Sequence, residues 1–168
     1  YMEFVGVCPE VECGLSVPRE SMRLMGDPDR PRLIGPKSGT DYTEQMQTWA
    51  ADRVAKLADE DLHGFIFKAK SPSSGAFRVK VYNEHGMATN SGRGLFAGAF
   101  MDSYPWLPVE EEGRLNDLPL RENFMDRVFA YARFRQAMTA DPTPKGLVAF
   151  HTTMKLTVMA HSPAHYKS

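Results

Sequence analysis

Residues 43–58 form the clearest periodic segment of the chain, because apolar side chains recur there at helical spacing. These side chains are Met46, Trp49, Ala50, Val54 and Leu57. The pattern predicts an amphipathic helix that Asp41 or Thr43 can cap. An apolar run, Gly-Phe-Ile-Phe at 64–67, follows and predicts a buried strand over residues 64–70. A helix leading into such a strand is long enough for a parallel crossover, which favours an α/β fold.

The remaining patterns extend this arrangement. Strands are predicted over residues 3–8, 77–82 and 107–109, with a helix over 91–103 between the last two. The order β-α-β-β-α-β predicts a Rossmann-like α/β sandwich with a mostly parallel sheet. Helices are then predicted over 120–138 and 147–160, joined by a Pro- and Gly-containing linker at 141–146.

The amino-acid composition limits the classes of protein to which the chain can belong. The chain is 42% hydrophobic and 24% charged, with a net charge of −1. This balance predicts a globular protein without an extended nucleic-acid surface, and no apolar run is long enough to cross a bilayer. Two cysteines in 168 residues argue against a disulfide scaffold, so we expect a cytoplasmic protein. The chain begins at Tyr1 rather than Met, and we expect that an N-terminal segment is missing.

Three polar segments follow predicted strands, at residues 8–10, 71–75 and 110–112. Strand ends of a parallel sheet share one edge, so we expect the three segments to meet there. Cys8 suits a nucleophile or metal ligand, or else a buried small hydrophobe. The serine loop, defined as residues 71–75, offers hydroxyls and N–H groups to an anion or polar ring, or is a plain turn. The acidic run 110–112 is typical of a solvated face or the first turn of a helix.

Several of these segments together resemble a family that includes the iron–sulfur-dependent thiouracil desulfidases. The matching motifs are Val-Cys-Pro-Glu-Val at 7–11, Gly-Leu-Ser-Val-Pro-Arg-Glu at 14–20, Lys-Ala-Lys-Ser-Pro-Ser-Ser-Gly at 68–75 and Pro-Val-Glu-Glu-Glu-Gly-Arg-Leu at 108–115. The resemblance implies an α/β fold and a [4Fe-4S] cluster held by three cysteines, with an open iron that takes sulfur from a thiolated base such as 2-thiouracil. A desulfidase-like domain is then expected over residues 1–140. Residues 145–168 are similar to the start of a helical YbgA-type domain, here truncated.

The same resemblance implies roles for particular residues. Cys8 stands at a cluster cysteine, and so is the expected metal ligand. Ser74 takes the place of a second cluster cysteine, in a motif that reads Ser-Pro-Ser-Cys-Gly in the family. The third cysteine is expected upstream of Tyr1. Ser71 is expected close to the substrate, and Glu3 near an active-site carboxylate.

Three functions stay open at this point. The first is an iron–sulfur desulfidase acting on a small thiolated base. The second is a non-catalytic α/β module that binds a ligand or serves as a scaffold for the C-terminal helices. The third is a cysteine hydrolase with Cys8 as nucleophile.

Overall fold

The protein is described by a computed structural model that covers residues 2–161. Five α-helices lie in this range: α1 (Pro9–Glu12), α2 (Thr43–Leu57), α3 (Leu95–Ser103), α4 (Leu118–Ala140) and α5 (Pro144–His161). Six strands accompany them: β1 (Arg23–Met25), β2 (Arg32–Ile34), β3 (Phe65–Phe67), β4 (Val79–Tyr82), β5 (Ala88–Gly92) and β6 (Val109–Glu111). Two 3-10 turns, Ala58–Glu60 and Arg114–Asn116, follow α2 and β6.

The strands form two small sheets. One has the order β2-β1-β4-β5, and the other pairs β3 with β6. The α/β fold class is confirmed, but the pairing is evenly mixed: β1–β4 and β3–β6 are parallel, whereas β1–β2 and β4–β5 are antiparallel. The sheet is less parallel than predicted because short turns at 26–31 and 83–87 join β1 to β2 and β4 to β5, and connections of that length can join only antiparallel neighbours.

The predicted strand over residues 3–8 is wrong. This segment has no regular secondary structure, and Phe4 is 79% exposed. No described strand pairs with it, and Cys8 instead stands at the N-cap position of α1, which begins at Pro9, without a side-chain capping bond. A second strand ends earlier than predicted, since β3 stops at Phe67 and Lys70 has a positive φ of 63°.

Two apolar cores hold the elements together. The larger packs α2 and α3 against β3, and its aromatic rings include Phe65, Phe67, Phe96 and Phe100. The smaller lies on the four-stranded sheet around Leu24, Leu33, Met46, Val79 and Val81. Trp49 packs against both cores. Helices α2 and α3 therefore fix the position of the loop that joins β3 to β4.

The two C-terminal helices are confirmed. Asp117 caps α4 by accepting a hydrogen bond from the Leu120 N–H, and residues 141–143 join α4 to α5. Whether residues 145–168 form a separate YbgA-type domain stays a prediction, and 162–168 lie outside the described residues. None of the helices described has the length and apolar character needed to cross a membrane.

Candidate functional site

Cys8 is held at the start of α1 by a chain of polar contacts. Its N–H donates to Glu12 Oε1 at 2.8 Å, and Glu12 Oε2 lies 3.1 Å from Arg53 Nε on α2. The Cys8 thiol is exposed, so the alternative of a buried small hydrophobe is wrong. Its Sγ lies 3.8 Å from Glu10 Oε2. Fixing the main chain of Cys8 in this way aims an accessible thiol at the neighbouring carboxylate.

The serine loop is a compact turn closed by its own hydrogen bonds. The Gly75 N–H donates to the Ser71 carbonyl at 2.8 Å. Ser71 Oγ accepts from the N–H groups of Ser73 at 3.3 Å and Ser74 at 3.1 Å. These N–H groups are turned towards the loop interior, where they bond to a hydroxyl rather than to a ligand.

The N-terminus of α3 is docked on the carbonyls of the same loop. The N–H groups of Gly94, Leu95 and Phe96 donate to the carbonyls of Gly75, Pro72 and Ser73 at 2.8, 3.2 and 2.9 Å. In phosphate-binding loops the loop N–H groups and the helix N-terminus both face an anion. Here both sets of donors are already used, so the serine loop is not an anion cradle.

Gly94 makes this docking possible. A Cβ atom at Gly94 would lie 2.5 Å from the carbonyl carbon and oxygen of Ser73 and 2.7 Å from Ser74 N. Only a residue without a side chain lets the two backbones approach so closely.

The acidic run 110–112 clamps the serine loop by binding the residues that flank it at both ends. Glu111 Oε1 accepts from the N–H groups of Ala76 and Phe77 at 3.0 and 3.1 Å. Glu112 accepts from the Ala69 N–H at 2.6 Å and pairs with Lys68 Nζ at 2.7 Å. The prediction of a solvated face or helix start is wrong, since Glu110 and Glu111 lie in β6 and are only 8% and 6% exposed.

The contacts with Lys68 and Ala69 change the pKa of the Glu112 carboxyl group. Partial burial raises the pKa of Glu112, but the hydrogen bonds from Lys68 and from the Ala69 N–H outweigh it and lower the pKa below the ordinary value. The ionised form is therefore the one that the clamp stabilises.

Glu10 joins α1 to the serine loop. Its Oε1 accepts a hydrogen bond from the Ser73 hydroxyl and lies 3.5 Å from Ser71 Oγ. Its Oε2 is 3.8 Å from Arg19, which complements the negative charge. The sequence placed Glu10 only within the segment 8–10. The one sign in the sequence that Glu10 belongs to the site is its position two residues after Cys8, in a segment that can form a helical turn.

Of the three segments expected to meet, residues 8–10 contact the serine loop through Glu10, although residues 3–8 supply no strand. Residues 110–112 bind the positions on either side of the loop, namely Lys68, Ala69, Ala76 and Phe77. Ser71 is half-buried, and Ser74 is buried. Glu3 is exposed on the segment before Cys8, and within residues 2–161 no hydrogen bond or ion pair joins it to the serine loop. The roles expected for Glu3, Cys8, Ser71 and Ser74 stay predictions.

A cluster held by three thiolates can be tested against the residues present. Cys8 offers an exposed thiol, but the Cys13 Sγ donates to the Glu10 carbonyl at 3.4 Å, and burial raises the pKa of the Cys13 thiol. Ser74 brings a hydroxyl, a harder and weaker ligand for iron than a thiolate. In the part of the chain that the structure describes, no group of three His, Cys, Asp or Glu side chains could hold a metal ion. The described residues therefore do not fit such a cluster.

Comparison with known proteins agrees with the resemblance seen in the motifs. The 2-thiouracil desulfurase family matches residues 1–112, which include all three segments of the site. Among solved structures, the [4Fe-4S]-dependent thiouracil desulfidase TudS matches with a TM-score of 0.51 and 25% sequence identity. That match covers 69% of this chain and 72% of TudS. None of the curated proteins searched matches the chain. By the extent of the family match, the chain belongs to the 2-thiouracil desulfurase family.

Proposed function

We infer that this chain recognises a small thiolated base, with 2-thiouracil as the representative ligand, at a site of the desulfidase type. The observation that carries this is the position of Glu10. One carboxylate contacts the Cys8 thiol on one oxygen and the serine hydroxyls on the other. A soft sulfur donor and a pair of hydroxyls thus stand on the two sides of one group, which suits a ligand with both a sulfur and polar ring atoms.

Each residue has a distinct part in this proposal. Cys8 meets the sulfur of the ligand or a metal that carries it. Ser71 orients the polar edge of the ring, and Glu3 provides a carboxylate from the exposed segment before Cys8. Ser74 stands at the motif position where the family has a cysteine, and it is 9% exposed.

What the chain does with the bound base is a separate question. Holding a [4Fe-4S] cluster that removes the sulfur would require further cysteines, since among the residues described Cys8 is the single thiol that contacts the Glu10 carboxylate. The serine at position 74 therefore favours the second candidate, a non-catalytic ligand-binding module. Both candidates share the same binding step.

Binding is tested by isothermal titration calorimetry with 2-thiouracil and with uracil. We expect 2-thiouracil to bind more tightly, and we expect Cys8→Ser to remove the preference while leaving the fold intact. Equal affinity for the two bases in the wild-type protein would refute the proposal.

The two candidates are separated by anaerobic reconstitution with iron and sulfide. The full-length protein, with the residues expected upstream of Tyr1, is compared with its Ser74→Cys variant by visible absorbance, iron content and sulfide release from 2-thiouracil. Sulfide release by the wild type would establish the desulfidase. Binding without release, together with cluster absorbance gained in Ser74→Cys, would establish the binding module and identify the change that removed catalysis.

A further inference from the structure

One face of the four-stranded sheet lies away from the smaller core. Successive side chains of a strand point to opposite faces of its sheet. Leu24, Leu33, Val79 and Val81 are buried in the smaller core, together with Met46 of α2. The side chains that alternate with them along the strands therefore point to the opposite face, which we call the outer face.

Eight side chains share the outer face. The register of the strands gives them in pairs: Arg23 with Ile34, Met25 with Arg32, Lys80 with Asn90, and Tyr82 with Ala88. Strand β1 runs parallel to β4 and sets Met25 beside Tyr82, so that Arg23 is aligned with Lys80. Ile34 is the buried member, whereas the others are half-buried or exposed. The outer face is therefore an accessible surface that extends over four strands.

Positive charge is concentrated on the outer face. Its eight side chains include two arginines, one lysine and no carboxylate, although the whole chain has a net charge of −1. Arg32 is compensated, because its guanidinium lies 2.9 Å from Asp41 Oδ2. Within residues 2–161, no ion pair joins Arg23 or Lys80 to a carboxylate. Two neighbouring cations are therefore left to bind an anion.

Arg23 also lies over the ring of Tyr82. Its guanidinium carbon is 5.1 Å from the centre of that ring. The Arg23 Nε is buried, and no acceptor in the described part of the chain bonds to it. Guanidinium planes and aromatic rings are surfaces on which unpaired nucleobases stack. The outer face thus combines a stacking surface with the Lys80 ammonium, a point charge that suits a phosphate.

We propose that the outer face binds single-stranded nucleic acid, with a base stacked on the Arg23–Tyr82 pair and a phosphate at Lys80. Charge complementarity favours a polyanion. The stacking surface requires bases that are not paired within a duplex, and this requirement selects a single strand.

The dimensions of the outer face limit what it can hold. Neighbouring strands are about 4.8 Å apart, so four strands give a surface about 15 Å wide, enough for about two or three nucleotides. A surface of this size is compatible with a composition that favours no extended nucleic-acid surface. No described hydrogen bond or ion pair joins its residues to Glu10 or the serine loop, so the inference does not depend on the proposed function.

Fluorescence anisotropy with a labelled oligouridine of about 12 nucleotides tests the proposal, with a duplex of the same length for comparison. At about 50 mM salt, the single strand should bind about 10-fold more tightly than the duplex. Two phosphate contacts give a slope of about −1.4 in the logarithm of affinity against that of salt, so about 200 mM salt should weaken binding about 5- to 10-fold. Oligothymidine in the same assay shows whether the sugar matters, and binding of either strand supports the proposal.

The variants separate charge from stacking. Lys80→Gln should weaken binding at low salt and reduce the slope by about 0.7. Arg23→Lys keeps the charge but removes the planar guanidinium, so it should weaken binding about 5- to 100-fold without changing the slope. Tyr82→Leu should act in the same way, whereas Tyr82→Phe keeps the ring and should stay within about twofold of wild type. Lys56→Gln, an equal loss of charge at an exposed position in the last turn of α2, is the matched control and should also stay within about twofold.

Thermal unfolding of each variant checks the fold, and the exposed Lys80→Gln serves if Tyr82→Leu does not fold. The proposal is overturned if the wild-type protein does not bind the single strand, or if it binds the duplex equally well. It is also overturned if folded Lys80→Gln and Arg23→Lys proteins bind like wild type, or if polyphosphate of equal charge competes as well as the oligonucleotide.

Two further measurements locate the binding. Saturating 2-thiouracil should not displace the oligonucleotide, and displacement would assign the binding to the site around Glu10 and overturn the proposal. Binding to phosphatidylserine vesicles in place of nucleic acid would assign the outer face to a membrane, with the same consequence. Failure of the protein to bind 2-thiouracil would refute the proposed function and leave this inference standing.

Discussion

Replacing Gly94 with alanine tests how the serine loop is held. The added Cβ would lie 2.5 Å from the Ser73 carbonyl carbon and oxygen and 2.7 Å from Ser74 N. These atoms belong to the backbone and cannot rotate out of the way, so either the loop or the start of α3 must shift.

The expected cost follows from two contributions. Forcing extra volume into a packed site costs about 1–3 kcal/mol. A shift also lengthens the bonds from Leu95 and Phe96 to the loop carbonyls, each worth about 1 kcal/mol. We therefore expect Gly94→Ala to lower the free energy of unfolding by about 2–4 kcal/mol.

Urea-induced unfolding followed by circular dichroism measures the change. With a slope of about 2 kcal/mol per molar urea, the midpoint should fall by about 1–2 M. Gly98→Ala is the matched control in the same helix, because nothing lies within 4 Å of its added Cβ. It should raise the free energy of unfolding by about 0.5–1 kcal/mol. The reasoning would be refuted if Gly94→Ala stayed within about 0.5 kcal/mol of wild type.

Three further predictions concern the charged and thiol groups of the site. Glu111→Ala should lower the free energy of unfolding by about 2–4 kcal/mol in the same urea assay, because two backbone N–H groups lose a charged acceptor; an unchanged midpoint would contradict the clamp. Cys8 should react with iodoacetamide faster than Cys13, as followed by mass spectrometry, because Cys8 is exposed whereas burial raises the pKa of the Cys13 thiol; equal rates would argue against this placement. The lowered pKa of Glu112 contributes stability that is present above the ordinary Glu value of about 4.3 and is lost as the pH falls through the lower folded value. Glu112→Gln should therefore lose less of its thermal midpoint between about pH 6 and pH 3 than the wild-type protein, and parallel losses would show that this carboxyl does not contribute.

Local patterns in the sequence predicted the elements whose signal is local. Helix α2 has an apolar face at helical spacing, and the predicted range 43–58 differs from Thr43–Leu57 by one residue. The alternation of apolar and basic residues likewise located β4. Both elements bury one face, so the chemistry of each residue reports which side it occupies.

Elements that depend on a distant partner were missed or misplaced. The apolar residues at 3–8 would look the same in a paired strand or in an exposed segment, and only the position of the other strands decides between them. Strand β5 was missed for the opposite reason: its sequence, Ala-Thr-Asn-Ser-Gly, is mostly exposed and lacks the apolar alternation that predicts a strand. It is a strand because the turn before it brings it back along β4.

The site followed the same rule. The closeness of residues 8–10 to the serine loop was expected, but that expectation rested on a strand over residues 3–8 that the structure does not contain. The partners of Glu10 and Glu111 could not be predicted, because a carboxylate in a sequence gives no sign of whether it will face water, a hydroxyl or a distant backbone N–H.

The long sequence separations of these contacts bear on how the protein is made. The bond between Glu10 and Ser73 spans 63 positions, that between Ala69 and Glu112 spans 43, and that between Ala76 and Glu111 spans 35. Contacts between such distant residues form only after both segments are synthesised and a large loop has closed. During translation, Cys8 therefore emerges from the ribosome well before Glu111 and Glu112 can lock the serine loop. The candidate site is completed late in synthesis, and until then the exposed Cys8 thiol is without its final neighbours.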